Sequence, residues 1–383
     1  MKKHNHQSDH ERALRALFAS RTLTPSTTRL VGTFRRRAPF VVMLVLLVAG
    51  ALTAAFWRSA LGSRPFRLIS YNVQNLFDAS ADGGEYEEFR AENGYTRDRY
   101  WARLEELARV IGALARAPDA ILLIELEHAG IAAELAEHFF ATPYVLSSGK
   151  RGATTTSIAL LTREAPTSLA VHAAAEYELI PGELPRRTWR SRDALHVTLA
   201  EAGFAIYGAH WKSQSGGERE TERFRRVESR LAVSIVATHG TQPTLLVGDL
   251  NENLTEFEDH DGAYETALMP IGVPSPNEGG VRFVNAHGGN LEKEPGAQLE
   301  TAFRSLWYTT DAPGTYFYRD RWERLDHAFL FPATSQAVGN LVVGALATLT
   351  DREGVPKRYD PRTGRGVSDH LPLLIELSRS RVR

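Results

Sequence analysis

The sequence predicts a layered α/β domain preceded by one membrane-spanning helix. Three observations carry this expectation. From Phe66 onward, short apolar or alternating runs of strand length take turns with longer segments of helical spacing. Ahead of that pattern, residues 38–57 hold no charge over twenty positions. The chain has 383 residues and no cysteine, so stability must come from an apolar core, without disulfides, thiolate metal sites or a cysteine nucleophile.

Residues 1–37 contain nine Lys/Arg and two Asp/Glu, a balance of +7 in a chain of net charge −1, which leaves the remainder near −8. They read as a basic cytoplasmic or disordered segment. The remainder shows no basic excess in its totals, although a local basic groove stays open. As a helix, "APFVVMLVLLVAGALTAAFW" spans about 30 Å, one bilayer core. Arg35, Arg36 and Arg37 precede it and favour a cytoplasmic amino terminus, which places the rest of the chain outside, periplasmic or extracellular. A signal sequence cleaved near "TAA" and a buried core helix are the other readings. Residues 58–65 form a linker, 66–378 the domain, and 379–383 a tail.

Within 66–378, "FRLISYNV", "AILLIELE", "SIALLTR", "ALHVTL", "FAIYGAHW", "PTLLVGDL", "ERLDHAFLF" and "LPLLIEL" read as strands. "DRYWARLEELARVIGAL" has helical spacing, and "ERETERFRRVESRLAVSIVATH" is a long amphipathic helix whose charges read as a solvated face. "HDGAYETALMPIGVPSPNEGGVRF" is rich in turn formers and reads as a surface excursion.

Six apolar runs carry polar residues at their ends: Asn72; Glu125 and Glu127; His210 and Lys212; Asp249 and Asn251; Asp326 and His327; Asp369 and His370. One such site is a turn. Six are not, because a buried carboxylate is costly unless paired, hydrogen-bonded or metal-bound. Carboxylate and amide oxygens with histidines, and no sulfur, suit Mg²⁺, Mn²⁺ or Ca²⁺. A hard cation with imidazoles and Asp/Asn pairs is the equipment of phosphoester hydrolysis. Arg192 is either a bidentate phosphate contact or a surface arginine. Lys212, on the strand face of His210, adds positive charge beside a phosphate. His327 reads as a core histidine, and "GTYFYRDRW" as either a core strand or a surface that stacks on a base or sugar.

The ordered set "SYNVQNLFD", "LLIELEH", "GAHWKS", "VGDLNEN", "ERLDHAFL" and "VSDHLPL" resembles the endonuclease/exonuclease/phosphatase superfamily in its deoxyribonuclease I-like form. The resemblance implies a four-layer α/β sandwich of two facing mixed sheets flanked by helices, with the site at one edge. It implies Asn72, Glu125 and Asp369 at a metal, Mg²⁺ first, and Asp249 and Asn251 orienting the attacking water. It places His370 at the scissile phosphate with Asp326 fixing its imidazole, and His210 as a general acid or phosphate ligand. Gln74 stands where some nucleases carry an acid, and Ile124 where the family often has glutamine. The implied function is a metal-dependent phosphodiester hydrolase, a membrane-anchored extracytoplasmic nuclease acting on nucleic acid. The alternatives are a phospholipid or inositol-phosphate phosphoesterase and a non-catalytic binding protein. No protein partner is indicated.

Overall fold

The computed structural model describes residues 64–378 apart from 82, 150–154, 179–181, 183–185, 239–241, 275–278, 286–295, 336 and 338. The expected basic segment 1–37, the anchor 38–57, most of the linker 58–65 and the tail 379–383 lie outside the described residues. Among the described residues, no helix is long and apolar enough to cross a membrane.

Two mixed sheets organise the described chain. The first holds six strands in the spatial order Gly339–Val343, Leu373–Leu377, Phe66–Leu76, Ala120–Leu126, Ser157–Thr162 and Val145–Ser148. Its two central strands, Phe66–Leu76 and Ala120–Leu126, run parallel, and the other pairs are antiparallel. The second holds eight strands in the order Leu268–Pro270, Val281–Val284, Phe303–Ser305, Asp326–Phe331, Thr244–Asp249, Phe204–His210, Ala194–Leu199 and Ser168–His172. Here Thr244–Asp249 lies parallel to Phe204–His210 and antiparallel to Asp326–Phe331.

Side-chain alternation makes the sheets face each other. Phe66, Leu68, Leu122, Ile124 and Leu160 of the first sheet share one core with Leu195, Val197, Ile206, Leu246 and Phe329 of the second. The intervening positions Ile69, Tyr71, Ile121, Leu123 and Leu161 point the other way, into a second core under helix Arg97–Leu114. That helix starts where Thr96 accepts a hydrogen bond from the Arg99 backbone N–H, and it buries Tyr100, Leu104, Leu107 and Ile111 at helical spacing. Each large apolar side chain so buried contributes roughly 1.5–3 kcal/mol. The result is an α/β sandwich of two mixed sheets with packed helices.

Three expectations change. The charged face of helix Glu218–Thr238 is not a solvated surface, since Glu222, Arg225 and Glu228 are buried. Arg225 donates from Nε to Glu252 Oε2 at 2.6 Å and from Nη2 to Glu222 Oε2 at 2.6 Å, with Glu256 Oε1 at 3.5 Å. One guanidinium thus gathers three carboxylates, with Glu252 from the loop after strand Thr244–Asp249 and Glu256 from the short helix Glu256–Asp259 that follows. The turn-rich segment after His260 is also not a bare excursion. It supplies the strands Leu268–Pro270 and Val281–Val284, held to the helix because Ser229 Oγ donates to the Ala267 carbonyl and accepts from the Val281 N–H. Finally, "GTYFYRDRW" joins neither large sheet. Tyr316–Tyr318 and Arg321–Glu323 form a separate antiparallel hairpin.

Candidate active site

Asn72 and Glu125 sit where the two parallel central strands break step together. Asn72 pairs with Ile124, after which the register shifts between Asn72 and Leu76 on one strand and between Ile124 and Leu126 on the other. Gln74, Asn75 and Glu125 take left-handed φ values of 52°, 49° and 69°. Such values are uncommon away from glycine and gather at functional sites. These bulges re-aim side chains. Glu125 reaches the sheet edge and accepts from the Asn75 backbone N–H at 2.8 Å and from Asn72 Nδ2 at 3.2 Å. Glu127, two residues on, is sent elsewhere, where its buried carboxylate accepts from the Asp78 N–H.

The second sheet lines up three more groups by register alone. Asp249 is paired with His210 on its parallel neighbour and with Asp326 on its antiparallel neighbour, so all three side chains share one face. His210 Nε2 lies 3.6 Å from Asp249 Oδ2 and 3.8 Å from Glu125 Oε1. Asn72 closes the gap between sheets, since its Nδ2 also donates to Asp249 Oδ2 at 2.9 Å. Its Oδ1 accepts one hydrogen bond from the Gln74 N–H, and its NH₂ bridges the two carboxylates.

Asp326 Oδ2 lies 2.7 Å from His370 Nδ1 and also accepts from Thr315 Oγ at 2.6 Å. The other imidazole nitrogen, Nε2, faces Asp249 Oδ2 at 3.9 Å. Ser368 Oγ fixes the approach of the chain to His370 by accepting from its N–H and donating to the Asn72 carbonyl. Asn251, at φ 50°, turns back so that its N–H donates to Asp249 Oδ1 and its Nδ2 to the Trp211 carbonyl.

The electrostatics separate the titrating groups. Burial acts against a charged His370, but the Asp326 charge and hydrogen bond, with Asp249 and Asp369 beyond, outweigh it and raise its pKa to about 10. Burial pushes the Asp249 carboxyl up to about 7, with Asp326 and Glu125 in the same direction and His370 and Asn72 opposing. Burial, then Arg192, His370 and Lys212, hold His210 well below the usual imidazole range. The centre is therefore one cationic imidazole, one neutral imidazole and a carboxyl poised near neutrality.

Of the ten site residues expected from sequence, seven converge: Asn72, Glu125, His210, Asp249, Asn251, Asp326 and His370. Asp369 does not join the expected metal group. Its side chain diverges from that of His370, and its charged partner is Arg358 Nε at 4.0 Å, so it acts on His370 only through its field. Lys212 is not a free phosphate contact either. It lies past the end of its strand, where Nζ donates to the Ser213 and Ser215 carbonyls and its backbone N–H to buried Glu228. Arg192 donates from Nη1 to the Trp211 carbonyl, beneath the site. Gln74 is structural, exchanging two hydrogen bonds with the Tyr359 backbone at 2.8 and 3.1 Å. His327 is a core histidine with Nε2 2.8 Å from the Glu252 carbonyl. Thr315 and Ser368 are supporting groups the sequence did not single out. Ser368 is visible as a turn residue in "VSDHLPL", whereas nothing local marks Thr315.

Glu125, His210 and Asp249 each offer one ligand atom, all within 4.8 Å of one another. Two carboxylates and an imidazole, with the site open through the partly exposed Glu125, form a donor set that fits a divalent cation.

The family model described as "Endonuclease/Exonuclease/phosphatase family" matches residues 67–262, just over half of the chain. The chain belongs to the endonuclease/exonuclease/phosphatase family. The matched region contains Asn72, Glu125, His210, Asp249 and Asn251, while Asp326 and His370 follow it. Among solved structures, Danio rerio TDP2 humanized by 14 mutations is similar at 14% identity and a TM-score of 0.44, over 82% of this chain and 98% of that one. Truncated Caenorhabditis elegans TDP2 is similar at 12% identity and a TM-score of 0.43, over 82% and 98%. The mannosyl-6-phosphatase of Bacteroides thetaiotaomicron is similar at 15% identity and a TM-score of 0.46, over 82% and 99%. No curated protein matches the chain.

Proposed function

We propose that this family member is a divalent-cation-dependent phosphodiester hydrolase acting on nucleic acid. Residues 38–57 anchor it to a membrane and its domain lies on the extracytoplasmic side. The observation that carries the chemistry is the meeting of the Glu125–His210–Asp249 group with the Asp326–His370 pair through Asp249. Glu125, Asp249 and His210 would hold the cation, Mg²⁺ first and Mn²⁺ or Ca²⁺ otherwise. When bound it supplies positive charge to the phosphate oxygens and makes water more acidic.

The chain's own groups do the rest. Asp249 orients the attacking water by accepting a hydrogen bond from it, the water's proton passing to solvent, and the Asn251 N–H holds the second oxygen of the carboxylate. His370, kept cationic by Asp326, donates from Nε2 to a phosphate oxygen and stabilises the charge that develops there. His210, neutral and buried, would turn its Nε2 lone pair to the cation beside the two carboxylates, and the proton for the leaving oxygen comes from cationic His370. Arg192 and Lys212 raise the local potential without touching the substrate.

A second reading keeps this chemistry and exchanges the substrate for a phospholipid headgroup or an inositol phosphate; the apolar stretch 38–57 favours it. One panel separates the two. The full-length protein is incubated with plasmid DNA, RNA, sphingomyelin and inositol phosphates, with Mg²⁺ and with EDTA. Hydrolysis of nucleic acid that needs Mg²⁺ and is lost in His370→Ala supports the first reading. Turnover confined to the lipid or the inositol phosphates sinks it.

A further inference from the structure

The hairpin that stands outside both sheets borders His370. Tyr316 bridges to the His370 backbone, and the two rings lie 4.7 Å apart between centroids at 36°. Two residues on, Tyr318 continues the series. Its ring is 6.2 Å from Tyr316 and inclined by only 24°. The strand repeat puts both tyrosines on the same face of the hairpin. Tyr316 is half-buried, but Tyr318 is 49% exposed at the open end. A large aromatic left in water beside a reaction centre is more informative than a scattered surface apolar residue.

The surroundings select the ligand. The guanidinium of Arg319 lies 5.1 Å from the centroid of the Tyr318 ring, Arg321 is exposed across the turn, and Arg358 is 72% exposed, 4.0 Å from the carboxylate of Asp369 next to His370. These three arginines stand among Asp320, Glu323 and Asp369, in a chain that is net acidic outside residues 1–37. Arginine planes and tyrosine rings both stack on nucleobases, and arginines meet the neighbouring phosphates. The hairpin is also short-looped. Arg319 and Asp320 sit at φ 47° and 62°, the paired left-handed turn that matches strand twist, so the aromatic steps are held at a set height.

We propose that Tyr318, with Arg319, forms a subsite for one unpaired base of a nucleic-acid strand whose neighbouring phosphodiester lies at His370. This inference rests on the nuclease reading above and adds to it the strand state of the substrate. A base must leave its stack to lie on Tyr318, so single strands and frayed ends bind in preference to intact duplex. The base enters between the Tyr318 ring and the Arg319 guanidinium, and Arg358 takes the next phosphate.

The test compares two substrates with one backbone: an octamer of thymidylate, and an octamer of abasic deoxyribose phosphates. Steady-state constants are measured for the full-length protein, Tyr318→Ala and Tyr318→Trp with Mg²⁺. Wild type should show a KM about tenfold lower for the thymidylate octamer than for the abasic one. Tyr318→Ala should raise the thymidylate KM to the abasic value while leaving kcat and the abasic KM within about twofold, and Tyr318→Trp should restore the difference. Equal KM values for the two octamers in wild type, or an equal effect of Tyr318→Ala on both, overturns the subsite and leaves the nuclease reading standing. Failure of wild type to cleave either octamer while it hydrolyses bis-p-nitrophenyl phosphate overturns the nuclease reading and the subsite with it.

Discussion

Asp326 Oδ2 and His370 Nδ1 are 2.7 Å apart, both groups buried, although 44 residues separate them in the chain. The pair is the electrostatic hinge of the site, because it holds an imidazole cationic far above its ordinary range. Replacing Asp326 by Asn removes the charge that opposes burial, so the His370 pKa falls and the basic limb of the kcat profile moves to lower pH. A histidine raised from 6.5 to about 10 contributes stability that is complete below 6.5 and is lost as pH rises toward 10. Thermal unfolding of the full-length protein in EDTA should therefore show a fall in Tm across that window, and Asp326→Asn should flatten it. An unchanged slope would remove the assignment.

In the proposed mechanism His370 donates to the phosphate, so His370→Ala should lower kcat by about 10²–10⁴-fold with a smaller change in KM. Asp369→Ala should cost far less, because its carboxylate faces Arg358 rather than the cluster. Comparable losses in the two variants would restore Asp369 to the reaction centre.

A divalent cation should stabilise the fold, and more so in alkali. Asp249 rises from 3.8 to about 7, so its share of stability is present below 3.8 and disappears as pH climbs through 7, where the ionised carboxylate stays buried. A cation binds that ionised form. Millimolar Mg²⁺ should raise Tm more at pH 8 than at pH 5, and Glu125→Gln should abolish most of the increment at pH 8. A shift independent of pH, or intact in Glu125→Gln, would place the cation elsewhere.

Gly248, immediately before Asp249, has φ 140°, and a Cβ there would run into the Ala209 carbonyl oxygen of the neighbouring strand. Gly248→Ala must distort the register that aligns His210 with Asp249. Urea unfolding should show a loss of about 1–3 kcal/mol from backbone strain, with activity falling further than stability.

Arg225→Met leaves Glu222, Glu252 and Glu256 buried without their cation and should destabilise by about 3–5 kcal/mol. Arg223→Met, at a side chain 64% exposed on the same helix, should change stability by less than about 1 kcal/mol. Similar urea midpoints for the two variants would contradict the buried network.

Much of the site was legible in the sequence because its groups end strands, and strand ends announce themselves locally through an apolar run that stops at a carboxylate or amide. Asp249, Asp326 and His210 could be named from such runs, and the sheet register then brings them side by side. What stayed hidden depends on partners far along the chain. The burial of Arg225 is set by Glu252 and Glu256, 27 and 31 residues away, while the helix by itself reads as a charged surface. Glu125 and Glu127 read as facing one way until the bulge at Ile124–Leu126 parts them. The strands at Leu268–Pro270 and Val281–Val284 are three and four residues long amid glycine and proline, too short for their alternation to register. Asp369 and His370 are neighbours in one motif, and only the packing decides which of them turns inward.

Phe66 pairs with Leu377, so the first and last strands of the domain begin and finish side by side, and Asn72 and His370 lie toward their opposite ends. The chain therefore enters the domain at Phe66 and leaves it at Leu377 on the side away from Asn72 and His370. Loops around the site can vary without disturbing the point where the chain enters and leaves the domain.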